Sequence, residues 1–525
     1  MNILDLAGLG VSFPAGPDRR EVVSGLDLEL PAGATLGIVG ESGSGKSVTL
    51  RALMGLLPSA ARVESGTLSI GGIPVPLAGR GLRATRRRRL AMVFQDPLAA
   101  LDPLMTIGDQ IAEVPRRVFG ESKRASRAVA VDLLGQVRIP DPERRAGSYP
   151  HELSGGQRQR AVIAMALAAR PEILLCDEPT TALDVTIQAE ILDLLRQLRG
   201  QSDLSMIFVS HDLAVVNSMA DRILVMRSGR AVEIGSAEQV IERPGQPYTR
   251  QLLDAVLELP DAGAPAPVVL GKPRPVRLRA DGVSVSYSGV QALDAVGLQV
   301  GAASIHGLVG ESGSGKTTLA KVLTGQLSPA AGSVVLDGQV LPAVRGRAQL
   351  RQIQMIYQDP FASLDPRMTV RQTLSELLRL VVRMPRPRIE ARCVELLDQV
   401  SLPASALDGY PGQFSGGQRQ RIAIARALAV EPTVLVADEP TSALDVSIQA
   451  AVLDLLVRLR DEFDLTIVVI SHNLAVIRHI CDDVSVLRDG VVVDSGTATD
   501  VLDHPRTEYT RQLIRAVPRL KKDIA

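Results

Sequence analysis

The sequence predicts an α/β fold that is built twice in one chain, with a mostly parallel sheet at the core of each copy. Two observations lead to this prediction: a set of short motifs recurs in the same order in both halves, and apolar runs alternate with helical stretches. The length of 525 residues agrees, because one domain has roughly 100–200 residues. The chain is therefore expected to hold two domains of one type.

Five motifs carry the repeat. The first copies are GESGSGKS at 40–47, QDPLAALDP at 95–103, LSGGQRQR at 153–160, CDEPTTALD at 176–184 and SHDLAV at 210–215. The second copies are GESGSGKT at 310–317, QDPFASLDP at 358–366, FSGGQRQR at 414–421, ADEPTSALD at 437–445 and SHNLAV at 471–476. Lys316 follows Lys46 by 270 residues and Glu439 follows Glu178 by 261, so small insertions separate the copies. A period of this length indicates a duplicated domain rather than a solenoid repeat.

The boundary between the copies lies in a segment rich in proline and alanine. Residues 259–277 contain five prolines. Proline fixes φ and lacks a backbone donor, so this segment is a poor helix or central strand and is expected to be a semi-extended linker. We place the first domain at 1–258, the linker at 259–277 and the second domain at 278–525.

Within each copy, buried strands are expected to alternate with helices. Residues 34–40 are a short apolar strand, and a helix from Lys46 through Leu57 is expected to follow it. Residues 172–178 and 204–210 are further apolar strands, separated by a helical stretch at 185–199. TVLVADE and LTIVVIS take the same places in the second half. This alternation indicates a largely parallel sheet.

The composition excludes several classes of protein. Lys plus Arg and Asp plus Glu each number 58, so the formal net charge is zero and gives no global attraction to nucleic acid or to an anionic membrane. The three cysteines form no CxxC pair, which argues against a disulfide framework or structural zinc and favours a reducing cytosol. We expect no secretory signal, and no apolar run reaches the ~18 residues of a membrane span. Any membrane role must therefore come through a partner.

The glycine-rich loops at 40–47 and 310–317 are predicted to cradle the phosphates of a nucleotide. In the pattern G-x-x-x-x-G-K-[ST], backbone N–H groups approach the phosphates and a helix N-terminus adds a favourable dipole. Lys46 and Lys316 are expected to reach the β- and γ-phosphates, and the hydroxyls of Ser47 and Thr317 to bind Mg²⁺. A flexible Gly/Ser turn is the alternative for a single copy, and two copies in the same context argue against it. The other predicted loop residues are Gly40, Ser42, Gly43, Ser44, Gly45, Gly310, Ser312, Gly313, Ser314 and Gly315.

Each half also has an Asp–Glu pair at the end of an apolar strand, where both carboxylates should emerge beside the phosphate loop. Asp177 and Asp438 suit coordination of Mg²⁺ through water. Glu178 and Glu439 suit polarising the attacking water. Adjacent acids in a solvated turn are the alternative, but the repeated position at a strand end favours a catalytic role.

A histidine, a glutamine and an SGGQ segment in each half are also predicted to belong to the nucleotide sites. His211 and His472 follow the next buried strand and are expected to contact the γ-phosphate and hold the catalytic geometry. Gln95 and Gln358 open the QDP segments and, as neutral ligands, suit contact with Mg²⁺ or water. Each SGGQ segment precedes a helix whose N-terminus can receive an anion. The SGGQ residues are Ser154, Gly155, Gly156 and Gln157 in the first half and Ser415, Gly416, Gly417 and Gln418 in the second.

These five elements, in this order and over nearly the whole chain outside the linker, resemble the ABC ATPase family. The resemblance implies two P-loop NTPase domains of ABC type, each with an antiparallel β subdomain and a helical signature subdomain beside the parallel core. It also implies ATP hydrolysis, ATP and Mg²⁺ as cofactors, and head-to-tail pairing of the two domains within the chain.

In that family each ATP lies between the phosphate loop of one domain and the SGGQ segment of the other. Site one would then combine Gly40–Ser47, Gln95, Asp177, Glu178 and His211 with Ser415–Gln418. Site two would combine Gly310–Thr317, Gln358, Asp438, Glu439 and His472 with Ser154–Gln157. The resemblance also implies adenine stacking on Phe13 and Tyr287, and loops with Asp184 and Asp445 at the domain seam. Both sets are complete, so we predict two hydrolysing sites.

Two tails narrow the resemblance to importers of the oligopeptide/dipeptide/nickel type. RPGQPYTRQLLDAV at 243–256 is similar to the C-terminal signature of that subfamily, and HPRTEYTRQLIRAV at 504–517 is an altered copy. The two halves resemble the first and second ATPases of that system. The implied partners are an extracytoplasmic binding protein and two membrane permeases, which would contact Leu98–Met105 and Phe361–Met368 at the cytoplasmic face of the membrane. No cysteine cluster follows the tails, so no iron–sulfur centre is expected.

Several alternatives stay open at this point. Di- and oligopeptides are the first choice of cargo, with glutathione, nickel or metallophores as alternatives. A soluble tandem ABC factor acting on ribosomes or DNA is a rival of another class, favoured only by RRRR at 86–89. A basic run of this length is usually a solvated face, so no nucleic-acid partner is expected. Exporter and sugar-import motors are further rivals.

Overall fold

The computed structural model describes residues 1–15, 18–77, 88–181, 183–201, 203–259, 274–287, 289–441 and 444–520. The chain divides into two compact units, unit 1 over Met1–Leu183 and Ile187–Val256, and unit 2 over Leu257–Val517. The domain boundaries placed at 258 and 278 stay a prediction, and residues 260–273 of the proposed linker lie outside the described residues. So do Arg86 and Arg87 of the basic run.

Unit 1 contains two sheets. Its strands are β1 (Asn2–Ala15), β2 (Asp18–Pro31), β3 (Thr35–Val39), β4 (Arg62–Ile70), β5 (Ile73–Val75), β6 (Leu90–Val93), β7 (Ile173–Asp177), β8 (Ser205–Val209), β9 (Arg222–Arg227) and β10 (Arg230–Ser236). The order β2-β1-β4-β5 forms an antiparallel sheet. The order β10-β9-β3-β8-β7-β6 forms a second sheet, parallel except where β10 pairs with β9. The predicted parallel core and antiparallel subdomain are confirmed.

Some helices of unit 1 connect the parallel strands, and others pack together in a cluster of their own. They are α1 (Lys46–Met54), α2 (Pro97–Ala100), α3 (Ile107–Phe119), α4 (Lys123–Gln136), α5 (Pro142–Ala146), α6 (Gly155–Leu167), α7 (Val185–Gln201), α8 (Leu213–Met219), α9 (Ala237–Glu242) and α10 (Pro247–Asp254). The helix predicted over Lys46–Leu57 is too long, because Gly55 adopts a left-handed φ of 62° and its N–H caps α1. Buried residues of α3, α4 and α6 share one hydrophobic cluster, which matches the predicted helical subdomain.

Unit 2 repeats this architecture. Its strands are β11 (Val276–Tyr287), β12 (Val290–Gly301), β13 (Ile305–Val309), β14 (Ala331–Leu336), β15 (Gln339–Val340), β16 (Ile353–Ile356), β17 (Val434–Asp438), β18 (Thr466–Ile470), β19 (Asp483–Arg488) and β20 (Val491–Thr497). Its α-helices are α11 (Lys316–Thr324), α12 (Arg347–Gln352), α13 (Val370–Leu377), α14 (Arg386–Gln399), α15 (Gly416–Leu428), α16 (Val446–Phe463), α17 (Leu474–Ile480), α18 (Ala498–Asp503) and α19 (Glu508–Arg515). The sheets have the orders β12-β11-β14-β15 and β16-β17-β18-β13-β19-β20.

The central strands of each parallel sheet are buried on both faces. Every residue of β3, β7 and β8 is buried, as is every residue of β13, β17 and β18. In β3, Leu36 and Ile38 face the cluster under the antiparallel sheet, whereas Val39 faces the helical side. Ligands of such sheets bind outside the carboxyl ends of the strands, so polar groups there are the place to look for a site. Among the described residues, no helix has the length and apolar character to cross a membrane.

Candidate functional site

The loop that joins β3 to α1 is held in a conformation that requires glycine. Gly40 has a φ of 148°, and a Cβ there would lie 2.2 Å from the carbonyl oxygen of Met226. Gly310 of unit 2 is in the same situation, with a φ of 151° and the carbonyl oxygen of Leu487 at 2.1 Å. Without a side chain, the loop can turn tightly against the next strand and bring its N–H groups to the start of the helix.

A buried lysine closes each loop. Nζ of Lys46 donates to the carbonyl oxygens of Gly40 at 2.6 Å and Glu41 at 3.0 Å. Nζ of Lys316 donates to the equivalent oxygens, Gly310 at 2.8 Å and Glu311 at 2.7 Å. Burial lowers the pKa of Lys316, although several nearby carboxylates oppose this. Each loop is therefore closed onto the side chain of its own lysine.

Oxygen ligands lie beside the first helical turn. Ser47 Oγ donates to Asp177 Oδ1 at 2.7 Å, and the hydroxyl of Thr317 likewise hydrogen-bonds to Asp438. Burial raises the pKa of both aspartates, and the neighbouring glutamates add to this effect. A hydroxyl and a carboxylate in contact are hard oxygen donors of the kind that Mg²⁺ prefers, so the residues fit that ion.

The glutamates that follow these aspartates have a backbone conformation that the sequence did not predict. Glu178 has a φ of 48° and Glu439 a φ of 47°, both left-handed. Non-glycine residues adopt this region at a cost, and such residues are concentrated at functional sites.

In unit 1 three side chains converge on the Glu178 carboxylate. Gln95 Nε2 donates to Oε2 at 2.9 Å, Thr181 Oγ1 donates to the same oxygen at 2.9 Å, and His211 Nδ1 lies 3.3 Å from it. Burial tends to raise the pKa of Glu178, but the hydrogen bond and charge of His211 outweigh it and lower the pKa. Burial tends to lower the pKa of His211, and Glu178 raises it overall. The carboxylate is therefore ionised and oriented at neutral pH.

Unit 2 has the same cluster. Gln358 Nε2 donates to Glu439 Oε2 at 3.0 Å, and His472 Nδ1 lies 3.0 Å from Glu439 Oε1. The counterpart of Thr181 is Ser442, which lies outside the described residues. The predicted glutamine, glutamate and histidine are thus brought together in both units.

The SGGQ segments form capped helix starts. The N–H of Gln157 donates to Ser154 Oγ at 3.3 Å, and the N–H of Ser154 donates to Gln157 Oε1 at 3.2 Å. Ser415 and Gln418 make the same capping box at 3.3 Å and 3.0 Å. The role predicted for these segments at the other unit's phosphate loop stays a prediction.

The two glycines of each segment differ in their surroundings. A Cβ at Gly155 would have its nearest neighbour at 3.9 Å, whereas one at Gly156 would lie 2.6 Å from Ile187 Cγ2. In unit 2 a Cβ at the second glycine, Gly417, would lie 2.2 Å from Ile448 Cγ2. The first glycine is open, and the second one allows the signature helix to pack closely on the next helix.

The two residues predicted to stack on adenine lie at the ends of equivalent strands. Tyr287 is 45% exposed at the end of β11. Phe13 in β1 is partly buried and packs against the core cluster under the antiparallel sheet. Tyr287 is thus more exposed than Phe13, and stacking stays a prediction for both.

The structure also places residues at the site that sequence reasoning missed. The hydroxyl of Tyr248 accepts a hydrogen bond from the N–H of Glu41 at 3.4 Å, and that of Tyr509 accepts one from Glu311 at 3.1 Å. Both tyrosines belong to the tails, which share the sequence YTRQL. That repeat was the available signal, but it did not indicate a contact with the phosphate loop. Thr181 was missed as well.

The segments predicted to contact permeases expose apolar side chains. Leu104 is 85% exposed, and Leu98 and Phe361 are also exposed. The guanidinium of Arg419 lies 4.7 Å from the centre of the Phe361 ring, which orients that ring at the surface.

Comparison with known proteins agrees with this arrangement. The model of the ABC transporter family matches residues 23–181 and 293–442, which include both phosphate loops and both SGGQ segments. The chain belongs to the ABC transporter family. A second model, described as the oligopeptide/dipeptide transporter C-terminal region, matches residues 232–278 and 493–525. This ABC protein therefore carries two ATP-binding domains, each followed by one such region.

Relatives match over nearly the full length. The peptidoglycan transport ATP-binding protein YejF of Agrobacterium fabrum (strain C58 / ATCC 33970) is 42% identical over 98% of this chain and 96% of its own. The glutathione import ATP-binding protein GsiA of Escherichia coli (strain K12) is 40% identical over 98% of this chain and 90% of its own. Among solved structures, the ATP-binding cassette MJ0796 in a post-hydrolysis dimer with ADP and Pi is 29% identical over 42% of this chain and 98% of its own, with a TM-score of 0.39. The chain is an ABC ATPase.

Proposed function

We propose that this chain is the ATP-hydrolysing motor of an importer for di- and oligopeptide-type compounds, and that it acts through partner permeases. The observation that carries the proposal is the presence, in each unit, of a complete set of a phosphate-loop lysine, a hydroxyl–aspartate pair and a glutamate held by glutamine and histidine. Two complete sets favour two hydrolysing sites over one active and one degenerate site.

Each site binds ATP through its phosphates. The loop N–H groups and the buried Lys46 or Lys316 receive the β- and γ-phosphates, which are the most negative part of the nucleotide. Ser47, Asp177 and Gln95 would hold Mg²⁺ in unit 1, and Thr317, Asp438 and Gln358 in unit 2. Bound Mg²⁺ supplies charge neutralisation at the phosphates.

Hydrolysis then depends on the glutamate. Glu178 or Glu439 accepts a proton from the attacking water as the water oxygen bonds to the γ-phosphorus and the bond to the β,γ-bridging oxygen breaks, which leaves ADP and phosphate. The histidine lies within hydrogen-bonding distance of the glutamate and so holds the carboxylate in place. We expect the same histidine to contact the γ-phosphate. The glutamine amide donates a hydrogen bond to the same carboxylate. The glutamine can therefore change position when the carboxylate forms other hydrogen bonds.

The family resemblance supports composite sites that each take an SGGQ segment from the other domain. Fusion in one chain favours this pairing, because a short tether gives effective concentrations on the order of millimolar. ATP binding then closes the pair and hydrolysis opens it, since the two states differ in their contacts with the nucleotide. This cycle is the motion that a permease at the membrane would receive.

The two tails support the cargo class. Both match the C-terminal region of oligopeptide/dipeptide transporters. The names of two relatives refer to glutathione, which is a tripeptide, and to peptidoglycan, which contains short peptides. A small peptide-containing compound is therefore the proposed cargo, delivered by an extracytoplasmic binding protein to two permeases. The chain would then sit on the cytoplasmic face of the membrane.

Purification of the intact complex from membranes tests the transport proposal. We expect two permeases to copurify with the chain, and mass spectrometry of the ligand retained by the associated binding protein to identify a peptide-containing compound. Recovery of the chain with ribosomes and without a permease would contradict the proposal.

Nucleotide titration tests the two sites separately. We expect Lys46→Ala and Lys316→Ala each to reduce the ATP bound per chain from two molecules to one, because each change removes the buried charge of one loop. Lys123→Ala, at an exposed position in α4, is the control and should still bind two. Two ATP molecules bound by the double lysine variant would rule out the proposed sites.

A further inference from the structure

Each tail contains a buried tyrosine that reaches the phosphate loop of its own unit. Tyr248 in α10 is 6% exposed and Tyr509 in α19 is 7% exposed. Their hydroxyls accept the hydrogen bonds from Glu41 at 3.4 Å and from Glu311 at 3.1 Å. The same contact therefore occurs twice, in tails that differ at the residue before the tyrosine.

The N–H that reaches the tyrosine shares a peptide group with a carbonyl that holds the loop lysine. In a trans peptide, the carbonyl of one residue and the N–H of the next lie in one rigid plane and point in opposite directions. The carbonyl of Gly40 accepts from Lys46 Nζ at 2.6 Å, and the other end of that plane is the N–H of Glu41. In unit 2 the carbonyl of Gly310 accepts from Lys316 Nζ at 2.8 Å. One planar group thus lies between each tyrosine hydroxyl and each lysine ammonium.

The orientation of this plane needs an external restraint. Gly40 and Gly310 have no side chain to pack, and glycine tolerates a wider range of backbone rotation than other residues. The hydroxyl at the N–H end and the ammonium at the carbonyl end therefore fix the plane together. Loss of the hydroxyl leaves the plane held at its carbonyl end only, so its N–H end can turn.

The tails are anchored so that the tyrosine ring is held firmly. Glu233 accepts from the N–H groups of Gly245 at 2.7 Å and Gln246 at 3.2 Å, and from Thr249 Oγ1 at 2.5 Å. Burial opposes ionisation of Glu233, but these hydrogen bonds outweigh it and lower its pKa. The guanidinium of Arg227 covers the ring of Tyr248 at 4.6 Å.

Unit 2 anchors its tail with different residues of the same kind. Asp494 accepts from the N–H of Arg506 at 3.1 Å and from Thr510 Oγ1 at 3.2 Å. Arg488 covers the ring of Tyr509 at 4.8 Å. Burial raises the pKa of Tyr509 to about 12, so the phenol is neutral at physiological pH.

We propose that Tyr248 and Tyr509 are positioning residues for ATP binding, each of which holds the first peptide plane of its phosphate loop and, through that plane, the loop lysine. This inference rests on the ATP sites proposed above and is independent of the cargo. It makes the C-terminal region a working part of the ATP site, so that a displacement of the tail changes the affinity for ATP.

Removal of the hydroxyl alone tests the proposal. Tyr509→Phe is made in the Lys46→Ala background, where ATP binds at the second loop only, and Tyr248→Phe in the Lys316→Ala background. One hydrogen bond corresponds to roughly a fivefold change in a binding constant, so ATP affinity should fall by about that factor for Tyr509→Phe. The effect should be smaller for Tyr248→Phe, because its contact is longer.

Two further readouts separate positioning from a merely structural role. In the otherwise unchanged chain, the KM for ATP should rise while kcat at saturating ATP and the melting temperature stay the same. Hydrogen exchange at the Glu311 amide should become faster in Tyr509→Phe without nucleotide. Tyr410→Phe, which removes the hydroxyl of a ring that is 46% exposed, is the matched control and should leave KM unchanged.

The outcomes distinguish this inference from the proposed sites. Unchanged ATP affinity in both tyrosine variants, with ATP still lost in the lysine variants, would overturn the inference alone. A fall in melting temperature that accounts for the loss of affinity would also overturn it. Retention of ATP in the lysine variants would instead reject the sites themselves.

Discussion

Units 1 and 2 share one fold and one set of ATP-site residues but differ in the strand beneath the phosphate loop. In unit 2, His306 Nε2 lies 3.0 Å from Ser485 Oγ, which lies 3.1 Å from Ser495 Oγ. The motif spacing places Leu36, Leu224 and Ile234 at these positions in unit 1. A row of three hydrogen-bonded polar side chains in unit 2 thus takes the place of three apolar side chains in unit 1.

The geometry of the site therefore depends on strand ends and loops more than on the chemistry of the core below. His306 is only four residues before Gly310, yet the two phosphate loops have nearly the same glycine φ and lysine contacts. Burial lowers the pKa of His306 to about 4, so the ring enters the core neutral. Its Nδ1 has no hydrogen-bond partner within the described part of the chain.

A second difference lies in the signature helix. Arg426 in α15 is partly buried near Tyr357 and Glu376, and burial lowers its pKa while those two groups oppose the shift. The equivalent residue of unit 1 is Met165, which packs against the hydrophobic cluster. The two units therefore form the same fold with different residues at these core positions.

A substitution at the second glycine of each SGGQ segment should lower the free energy of unfolding most. Gly417→Ala should destabilise unit 2 by about 3 kcal/mol, because the new methyl group would lie 2.2 Å from Ile448 Cγ2. Gly156→Ala should cost less, since the corresponding distance to Ile187 is 2.6 Å. Hydrogen exchange of buried amides in each unit measures these changes separately. Gly155→Ala is the control, and a loss equal to that of Gly156→Ala would contradict the packing argument.

The next effect is a pH dependence confined to unit 2. The folded pKa of His306 is about 4, below its ordinary value of 6.5, so the unfolded chain binds a proton that the folded chain does not. Stability from this group is complete above pH ~6.5 and falls as the pH falls towards 4, by about 2 kcal/mol between pH 7 and pH 5. Unit 1 has Leu36 there and lacks this loss.

Hydrogen exchange of β13 and β3 at the two pH values provides the measurement. His306→Leu should remove the additional loss from unit 2 and make the two strands respond alike. An unchanged pH response of β13 in His306→Leu would show that another group is responsible.

The smallest effect is expected at the signature helix. Arg426→Met gives unit 2 the residue of unit 1 and should change the free energy of unfolding by at most about 1 kcal/mol, since replacing a partly buried charged group by an apolar side chain of similar size is often close to neutral. Chemical denaturation of the full chain measures it. A loss of several kcal/mol would show that Arg426 is essential to unit 2 rather than tolerated.

The sequence was sufficient for the parts of the fold that local patterns encode. The loop motif and the Asp–Glu pairs each identify where a strand ends, and parallel strands bring those ends to one edge. This is why Lys46, Asp177 and Glu178 could be placed near each other before the structure was known. The duplication then carried the same placement to unit 2.

Other features depend on contacts that no local pattern encodes. The helix was predicted to continue through Leu57, but the left-handed conformation of Gly55 ends it at Met54. The left-handed turn at Glu178 is imposed by its surroundings rather than by its own preference. Tyr248 contacts a loop 207 residues earlier in the chain, so only the folded tail reveals its position.

If the two units carry chemically equivalent ATP sites, the rate of ATP hydrolysis should depend on Glu178 and Glu439 to the same degree. A general base contributes typically ~10²–10⁴-fold to a rate, so Glu178→Gln and Glu439→Gln should each remove at least half of the turnover at saturating ATP and Mg²⁺. The double variant should lose at least about 100-fold and still bind two ATP molecules. If one single variant keeps the wild-type rate while the other abolishes turnover, the two sites are not equivalent.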